Sequence, residues 1–283
     1  MINIVGISGG KDSTATALVA IETLKTPPRF VFCDTGIEAP SNYEYVNYLS
    51  EKLKAITGQG VEIIKADFSA RIAKKAEKLR NQGEIKRAEA LAPTGNPFVD
   101  LCIWKGRFPS TKARFCTQEL KMNPTIAFVK NLMVNADVVS WSGERAEESI
   151  ARANKPEKEE WLKGENSTAY IYRPILRWKE HECFEMLQKH GIKPNPLYAQ
   201  GFNRVGCFPC MMCRKAEIKR IADLYPEVIE KLAYWETLVA QSSKLQSASF
   251  FTMDETRKNI WDYVEWSKTS RGGKQYQLEL TNE

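Results

Sequence analysis

Short runs of β-branched and aromatic residues alternate along this chain with longer stretches whose apolar positions recur every three to four residues. The runs at 2–7, 30–33, 61–66 and 138–141 have the length and composition of buried strands, and helical spacing fills 14–24, 42–56, 70–90 and 123–134. Strand followed by helix, repeated, predicts an α/β fold with a doubly wound parallel sheet covered by helices on both faces. The rhythm stops at 93–121. That segment holds Pro93, Pro97 and Pro109 and few residues in helical register, so an ordered but irregular insertion is expected, anchored by Trp104, Phe108 and Phe115. Helical spacing returns at 180–189, where Gly191 ends it, and from 215 to about 267 through 218–224, 226–241 and 254–266. From Arg271 the pattern lapses and a loose tail is expected. The chain therefore divides into an α/β domain at 1–205, carrying the insertion 93–121, and a region at 206–283 made of a cysteine-bearing loop and a C-terminal helical subdomain.

Composition narrows the setting. With 43% apolar and 27% charged residues the chain is an ordinary globular sequence. No apolar run approaches the roughly 20 residues that span a bilayer. Met1-Ile2-Asn3-Ile4 lacks a basic leader, so a cytoplasmic protein with no membrane partner is expected. In a reducing compartment the seven cysteines point to metal or catalysis before disulfides. The net charge of +6 permits a nucleic-acid partner without demanding one.

The candidate chemistry begins directly after the first strand, at Ser8-Gly9-Gly10-Lys11-Asp12-Ser13. A phosphate site at a strand–helix junction needs main-chain N–H groups aimed at the anion; Gly9 and Gly10 permit close approach, and the following helix adds its dipole. Lys11 can reach phosphate oxygens, Ser8 and Ser13 can donate hydrogen bonds, and Asp12 can hold Mg²⁺ or cap the helix. The spacing is not that of the Walker A loop. A second strand ends at Asp34-Thr35-Gly36, and ligands of open α/β sheets gather at such carboxyl ends, so Asp34, Thr35 and Gly36 are expected beside the adenosine of a nucleotide. Ser142-Gly143-Glu144-Arg145 follows another strand end, where amides and a guanidinium could bind the α-phosphate or pyrophosphate; surface ion pairing is the plainer role for Arg145, Arg152 and Arg173.

These residues together resemble a known family. The Ser8–Ser13 turn is similar to the SGGxDS loop of the N-type ATP pyrophosphatases, the PP-loop family. Asp34-Thr35-Gly36, Phe115-Cys116-Thr117 with Leu120-Lys121, Ser142-Gly143-Glu144-Arg145, Arg173-Pro174-Ile175 and Gly206-Cys207…Cys210 extend the resemblance to its phosphoadenosine-phosphosulfate reductase-like branch, over about three-quarters of the chain. The resemblance implies an adenine nucleotide α-hydrolase-like fold. It implies ATP and Mg²⁺ bound by Ser8–Ser13, Asp34, Thr35, Gly36, Ser142, Gly143 and Arg173, with Lys11, Asp12 and Arg145 acting on the α-phosphorus. Sulfonucleotide reductases of that branch carry a catalytic cysteine in a C-terminal tail, and here no cysteine follows Cys213. The closer resemblance is to the ATP pyrophosphatases of DNA phosphorothioation. It implies a DNA acceptor, a sulfur donor such as a cysteine desulfurase, and partner proteins of a modification complex. A tRNA thiolation enzyme, a sulfonucleotide reductase and a non-catalytic nucleotide-binding subunit with a structural metal are the alternatives.

Cys207, Cys210 and Cys213 are spaced C-x2-C-x2-C, a ferredoxin-like arrangement whose fourth ligand comes from elsewhere. The matched family implies Cys116 as that fourth ligand of a 4Fe–4S cluster. Four thiolates equally suit structural zinc, and without metal one of them could carry a persulfide. Cys102 stands on the same insertion as an alternative ligand, a sulfur acceptor or a buried small hydrophobe. Cys33 and Cys183 read as core residues. The insertion from Trp104 to Phe115 interleaves cations with rings, which suits a polynucleotide, a lid over ATP or simple packing. The cations between Arg71 and Arg87 read as the solvated face of a helix, and His181 and His190 as surface residues.

Overall fold

The computed structural model describes residues 1–270, so the loose tail expected from Arg271 lies outside the described residues. The chain folds as two compact units. One comprises Met1–Asp34, Glu38–Lys65 and Lys121–Phe208; the other comprises Thr35–Ile37, Ala66–Leu120 and the chain from Pro209. Residues 66–120, which include most of the expected insertion, group with the chain from Pro209.

In the first unit, strands β1 (Ile2–Ile7), β2 (Arg29–Asp34), β3 (Val61–Lys65), β4 (Val138–Trp141), β5 (Lys158–Lys163) and β6 (Thr168–Tyr172) form one sheet in the order β3-β2-β1-β4-β6-β5. All neighbours pair in parallel except β5, which runs antiparallel at the edge and slips register between Glu160 and Leu162. The β5–β6 hairpin has no counterpart in the expected strands. Its β5 is Lys158-Glu159-Glu160-Trp161-Leu162-Lys163, a half-exposed edge whose charged alternation hides it among helix-like sequence.

Helices cover both faces. Side chains of β1 alternate: Val5 and Ile7 pack with α1 (Lys11–Thr23), α2 (Pro40–Thr57) and a helix at Glu180–Lys189, whereas Ile4 joins Val129 and Met133 of a helix at Asn123–Met133 on the other side. Ala15, Ala17 and Ala20 of α1 are fully buried, and these small side chains let the helix lie close to the sheet. Each buried Leu, Ile or Phe stabilises the fold by about 1.5–3 kcal/mol relative to exposure. The chain winds outward from β1 to β2 and β3, then returns to β4 on the other side of β1. The carboxyl ends of β1 and β4 therefore flank the point where strand order reverses.

The second unit is helical. It contains α3 (Ser69–Asn81), α4 (Ile85–Glu89) and α5 (Pro97–Lys105); numbering then continues through the first unit with α6 (Asn123–Met133), α7 (Ile150–Ala153), α8 (Glu180–Lys189) and α9 (Pro196–Ala199). The second unit resumes with α10 (Lys215–Leu224), α11 (Pro226–Ser242) and α12 (Ile260–Ser267). The single helix expected over 70–90 is broken at Gly83, which adopts φ 77°, a left-handed value that Gly reaches without a steric penalty. The insertion is also more regular than its prolines indicated. Pro97 occupies the first turn of α5, where no amide donor is missed, and Asn96 caps it by accepting from Phe98 N at 3.0 Å and Val99 N at 3.1 Å. A π-helical turn follows at Thr117–Met122.

The expected helix over 254–266 begins later, at Ile260, because Glu236 organises the loop before it. Its buried carboxylate accepts from Phe250 N at 2.7 Å, Ser249 Oγ at 3.0 Å and Ile260 N at 3.0 Å. Phe98, Phe108, Trp235 and Phe250 pack around this point with ring centroids 5.6 to 6.1 Å apart. No helix among the described residues is long and apolar enough to cross a membrane.

Candidate active site

The turn after β1 is held by its own hydroxyls. Ser8 N donates to Ser13 Oγ at 3.1 Å, the two serine hydroxyls lie 3.0 Å apart, and Ser13 Oγ donates to Gly10 O at 3.0 Å. Thr14 Oγ1 donates to the same carbonyl at 3.0 Å, tying the turn to the first turn of α1. Gly9 adopts φ 78°, and a Cβ there would lie 2.0 Å from Asn42 Oδ1. Asn42 in turn donates to Ser8 O at 3.2 Å, and Asn195 donates to Gly9 O at 3.1 Å and to Asn42 Oδ1 at 2.9 Å. Two buried asparagines thus clamp the loop from α2 and from the cap of α9.

The Ser142–Arg145 segment meets this loop through a glycine. A Cβ on Gly143 would lie 2.9 Å from the Asp12 carbonyl carbon and oxygen, so only the bare backbone fits against the start of α1. That approach puts Arg145 Nε 2.6 Å from Asp12 Oδ1, with Arg145 Nη1 2.5 Å from Glu147. Lys11 Nζ lies 3.1 Å from Glu180 Oε1 and 3.5 Å from Asp12 Oδ2, over the ring of Tyr198 at 5.2 Å. The Tyr198 hydroxyl accepts from Lys11 N at 3.0 Å, at the end of α1 where the dipole favours an acceptor. Burial pulls the Lys11 pKa down, but Tyr198, Asp12 and Glu180 outweigh it and the ammonium is held above its ordinary value. Burial pulls Arg145 the same way and Asp12 and Glu147 reverse it. Two buried cations and the N-terminal amides of a helix therefore face the switch point of the sheet, with three carboxylates around them.

Asp34 ends β2, two residues past the Ile7–Phe32 pair, and accepts from Tyr43 OH at 2.7 Å. Burial first, then Asp34, raises the Tyr43 pKa. Arg173 is 2% exposed; its guanidinium pairs with Glu144 at 2.5 Å and with Glu159, and donates to Pro156 O at 2.9 Å. In the second unit, Thr35 is buried and Gly36 adopts φ 77°, seating Asn96, whose side-chain amide donates to Gly36 O at 2.7 Å.

Cys183 is buried, as a core reading requires, yet its thiol points at Asp12 Oδ1 from 3.4 Å. Burial, then Asp12, raises its pKa to about 12, so it stays a thiol beside the loop. Cys33 is half-buried and raised to about 11, chiefly by burial. Cys207 belongs to the first unit, where it bridges Glu38 in antiparallel fashion. Cys210 and Cys213 share a turn in the second unit: Cys213 N donates to Cys210 O at 2.8 Å, and Met212 N donates to Cys210 Sγ at 3.4 Å. Cys116 is half-buried and Cys102 fully buried; burial and then Cys116 raise the Cys102 pKa. Among the described residues no three His, Cys, Asp or Glu side chains converge as metal ligands.

Sequence reasoning missed Asn42, Glu180, Asn195 and Tyr198. Of these, Asn195 alone carries a local signal, as an N-cap before Pro196 whose side chain accepts from Leu197 N at 3.0 Å. The others reach the loop from positions up to 187 residues away in sequence.

Residues 2–213 match the phosphoadenosine phosphosulfate reductase domain. The chain belongs to that family. Its sheet has six strands, mostly parallel, with helices on both faces. Among relatives, an uncharacterized 37.8 kDa protein of Escherichia phage 186 is 41% identical over 98% of this chain and 91% of its own length. An adenosine 5'-phosphosulfate reductase of Allochromatium vinosum is 27% identical over 71% of this chain and 64% of its own. The chain spans 41% and 51% of the length of two archaeal relatives. Phosphoadenylyl-sulfate reductase from Candida auris, solved as a phosphate complex, is similar at 19% identity and a TM-score of 0.43, covering 74% of this chain and 83% of that one.

Proposed function

We propose that this member of the family is an ATP pyrophosphatase that activates an acceptor, the DNA backbone, for sulfur insertion. The observation that carries the reading is the meeting of Lys11, Asp12 and Arg145 at the amino end of α1, on the carboxyl side of β1 and β4. ATP would lie with its phosphates over Ser8–Ser13 and the Ser142–Gly143 amides, and its adenosine toward Asp34. An acceptor oxygen attacks the α-phosphorus, the bond to the β-phosphate breaks, and pyrophosphate leaves. The outer sulfur of a persulfide, supplied by a partner such as a cysteine desulfurase, then attacks the adenylylated acceptor phosphorus and displaces AMP. A reducing thiol cleaves the remaining S–S bond, leaving as a disulfide and freeing the phosphorothioate. Lys11, Arg145 and loop amides stabilise the charge that develops in the first step.

Magnesium suits the oxygen-rich surroundings of Lys11. Asp12 and Glu180 are hard donors, and carboxylates outnumber cations here, an excess that a divalent ion accompanying ATP would offset. Bound there, it would supply charge neutralisation to the triphosphate. The thiols of Cys116, Cys207, Cys210 and Cys213 are the right kind of donor for a 4Fe–4S cluster or for zinc, and the amide donated to Cys210 Sγ is the sort of contact that steadies a metal-bound thiolate. Such a group would hold or deliver sulfur, or shape the site. Arg173 and its carboxylates brace the strand end that carries Ser142.

Release of pyrophosphate from [γ-³²P]ATP tests the reading, with partner proteins and DNA supplied. Lys11→Ala should lower the rate by roughly a hundredfold or more, the scale of removing one charge-stabilising donor. Unchanged release would overturn it. The family match favours a second reading, sulfonucleotide reduction. Thiol-dependent sulfite formation from adenosine 5'-phosphosulfate, with no pyrophosphate from ATP, would select it.

A further inference from the structure

The second unit carries a surface that the loop chemistry does not use. Arg71, Lys74 and Lys78 recur along α3 at intervals of three and four, one stripe of a helix, with Lys75 beside them. With Trp104 they line an open cavity of about 640 Å³. A second cavity of about 580 Å³ shares Lys75 as a wall and continues past Arg87, Lys105, Arg107 and Lys244.

Cations outnumber carboxylates along this groove, although Glu77 also lines the first cavity. Glu119 pairs with Arg71 and Lys105, and Glu84 with Arg87. Among the described residues Lys74, Lys75, Lys78, Arg107 and Lys244 have no carboxylate within ion-pairing distance. The central cations are instead held by main-chain carbonyls. Lys75 Nζ donates to Trp104 O at 2.5 Å and the Arg87 guanidinium reaches Ser242 O at 3.4 Å. Gly106, at φ 69°, keeps the wall thin: a Cβ would lie 3.2 Å from Ser242 O and 3.6 Å from Lys75 Nζ. A carbonyl fixes an ammonium without cancelling its charge. Burial and Arg87 both push the Lys75 pKa down, a cost that a bound anion would relieve.

We propose that this groove binds a nucleic-acid strand through its phosphodiester backbone. Arg71 and Lys78 stand about 10 Å apart along the helix axis, and the array continues into the second cavity, so the surface fits a chain of phosphates better than one. Half-buried Trp104 lines the first part, and a ring beside a row of cations suits a base next to its phosphate. The inference deepens the proposed function by assigning the polyanionic acceptor a surface, and rests on that reading only for the acceptor's role.

Fluorescence anisotropy on the full chain tests it, using a labelled 20-nucleotide single strand, the matching duplex and polyglutamate as competitor. Binding should weaken linearly in log–log form with salt. Lys74→Glu/Lys78→Glu should weaken it at least tenfold and reduce the salt slope by about one to two, with an unchanged melting temperature and unchanged pyrophosphate release from ATP. Arg107→Ala, on the second cavity, should weaken it in the same direction. Whichever of strand or duplex binds tighter identifies the form recognised. Wild-type binding by both variants, salt-independent binding, or displacement by polyglutamate at equal charge would overturn the proposal, the last in favour of an acidic protein partner. Lys11→Ala should lose pyrophosphate release and still bind the strand, so failure of the catalytic reading and failure of the groove are separable.

Discussion

Gly9 concentrates the demands of the glycine turn after β1 in one residue. Its backbone is left-handed at φ 78°, and the space a methyl would need is filled by the Asn42 amide, itself held by Asn195. Gly9→Ala therefore meets a conformational cost of about 1–2 kcal/mol and, by displacing Asn42, loses buried hydrogen bonds worth about 1 kcal/mol each. Urea unfolding should show a midpoint shift of that combined size; a shift below about 1 kcal/mol would mean the loop yields easily. Neighbouring Lys11 has a different constraint. Its charge is secured by Tyr198, Asp12 and Glu180 against the pull of burial, so it remains an ammonium throughout the neutral range.

Elements set where these residues stand. The glycine turn is held in place because β1 ends and α1 begins within four residues, and because α9 delivers Asn195 and Tyr198 to the same place. In the second unit, α5 begins at a proline and is fixed by Asn96, which caps two amides and also grips Gly36. Asn96→Ala should lower stability by about 1 kcal/mol for the cap and more for the lost Gly36 contact, read as a fall in melting temperature; a fall no larger than that of an exposed control such as Asn81→Ala would show the cap to be idle. This element also shows where pattern reading stops. Three prolines made 93–121 look irregular, yet Pro97 sits at the one helical position that wants it. The edge hairpin stayed invisible for the opposite reason: its alternating charges serve a half-exposed strand that only pairing with β6 makes recognisable.

At the scale of the whole molecule, buried ion pairs tie distant segments of the first unit together. Glu144 joins the site segment to Arg173 at the end of β6 and to Lys155. Burial pushes its carboxyl up, but the two cations outweigh burial and hold it below the usual range. A folded value below the unfolded one means the stabilisation is complete above about pH 4.3, the ordinary glutamate value, and disappears as pH falls through the folded value. The stability gap between wild type and Glu144→Gln should thus be widest near neutrality and close in acid. A gap that stays constant from pH 7 to 3 would assign the contribution to packing. Glu236 behaves oppositely. Burial raises its pKa, so its contribution is lost as pH rises through the folded value.

The sequence by itself determined the α/β class, the glycine turn, the strand ends that flank it and the membership of a nucleotide-chemistry family, because these depend on local periodicity and on contiguous motifs. Cys207, Cys210 and Cys213 were equally legible as a spacing. Tertiary structure alone decided which side chains surround the loop. Asn42, Glu180, Cys183, Asn195 and Tyr198 converge on it from three helices, and no local pattern records a contact that depends on how a sheet is wound. It also made the solvated cations of α3 one wall of a groove, since the opposite walls come from α5 and the end of α11. Local chemistry is written in neighbouring residues; a site is made by the long-range packing that brings distant ones together.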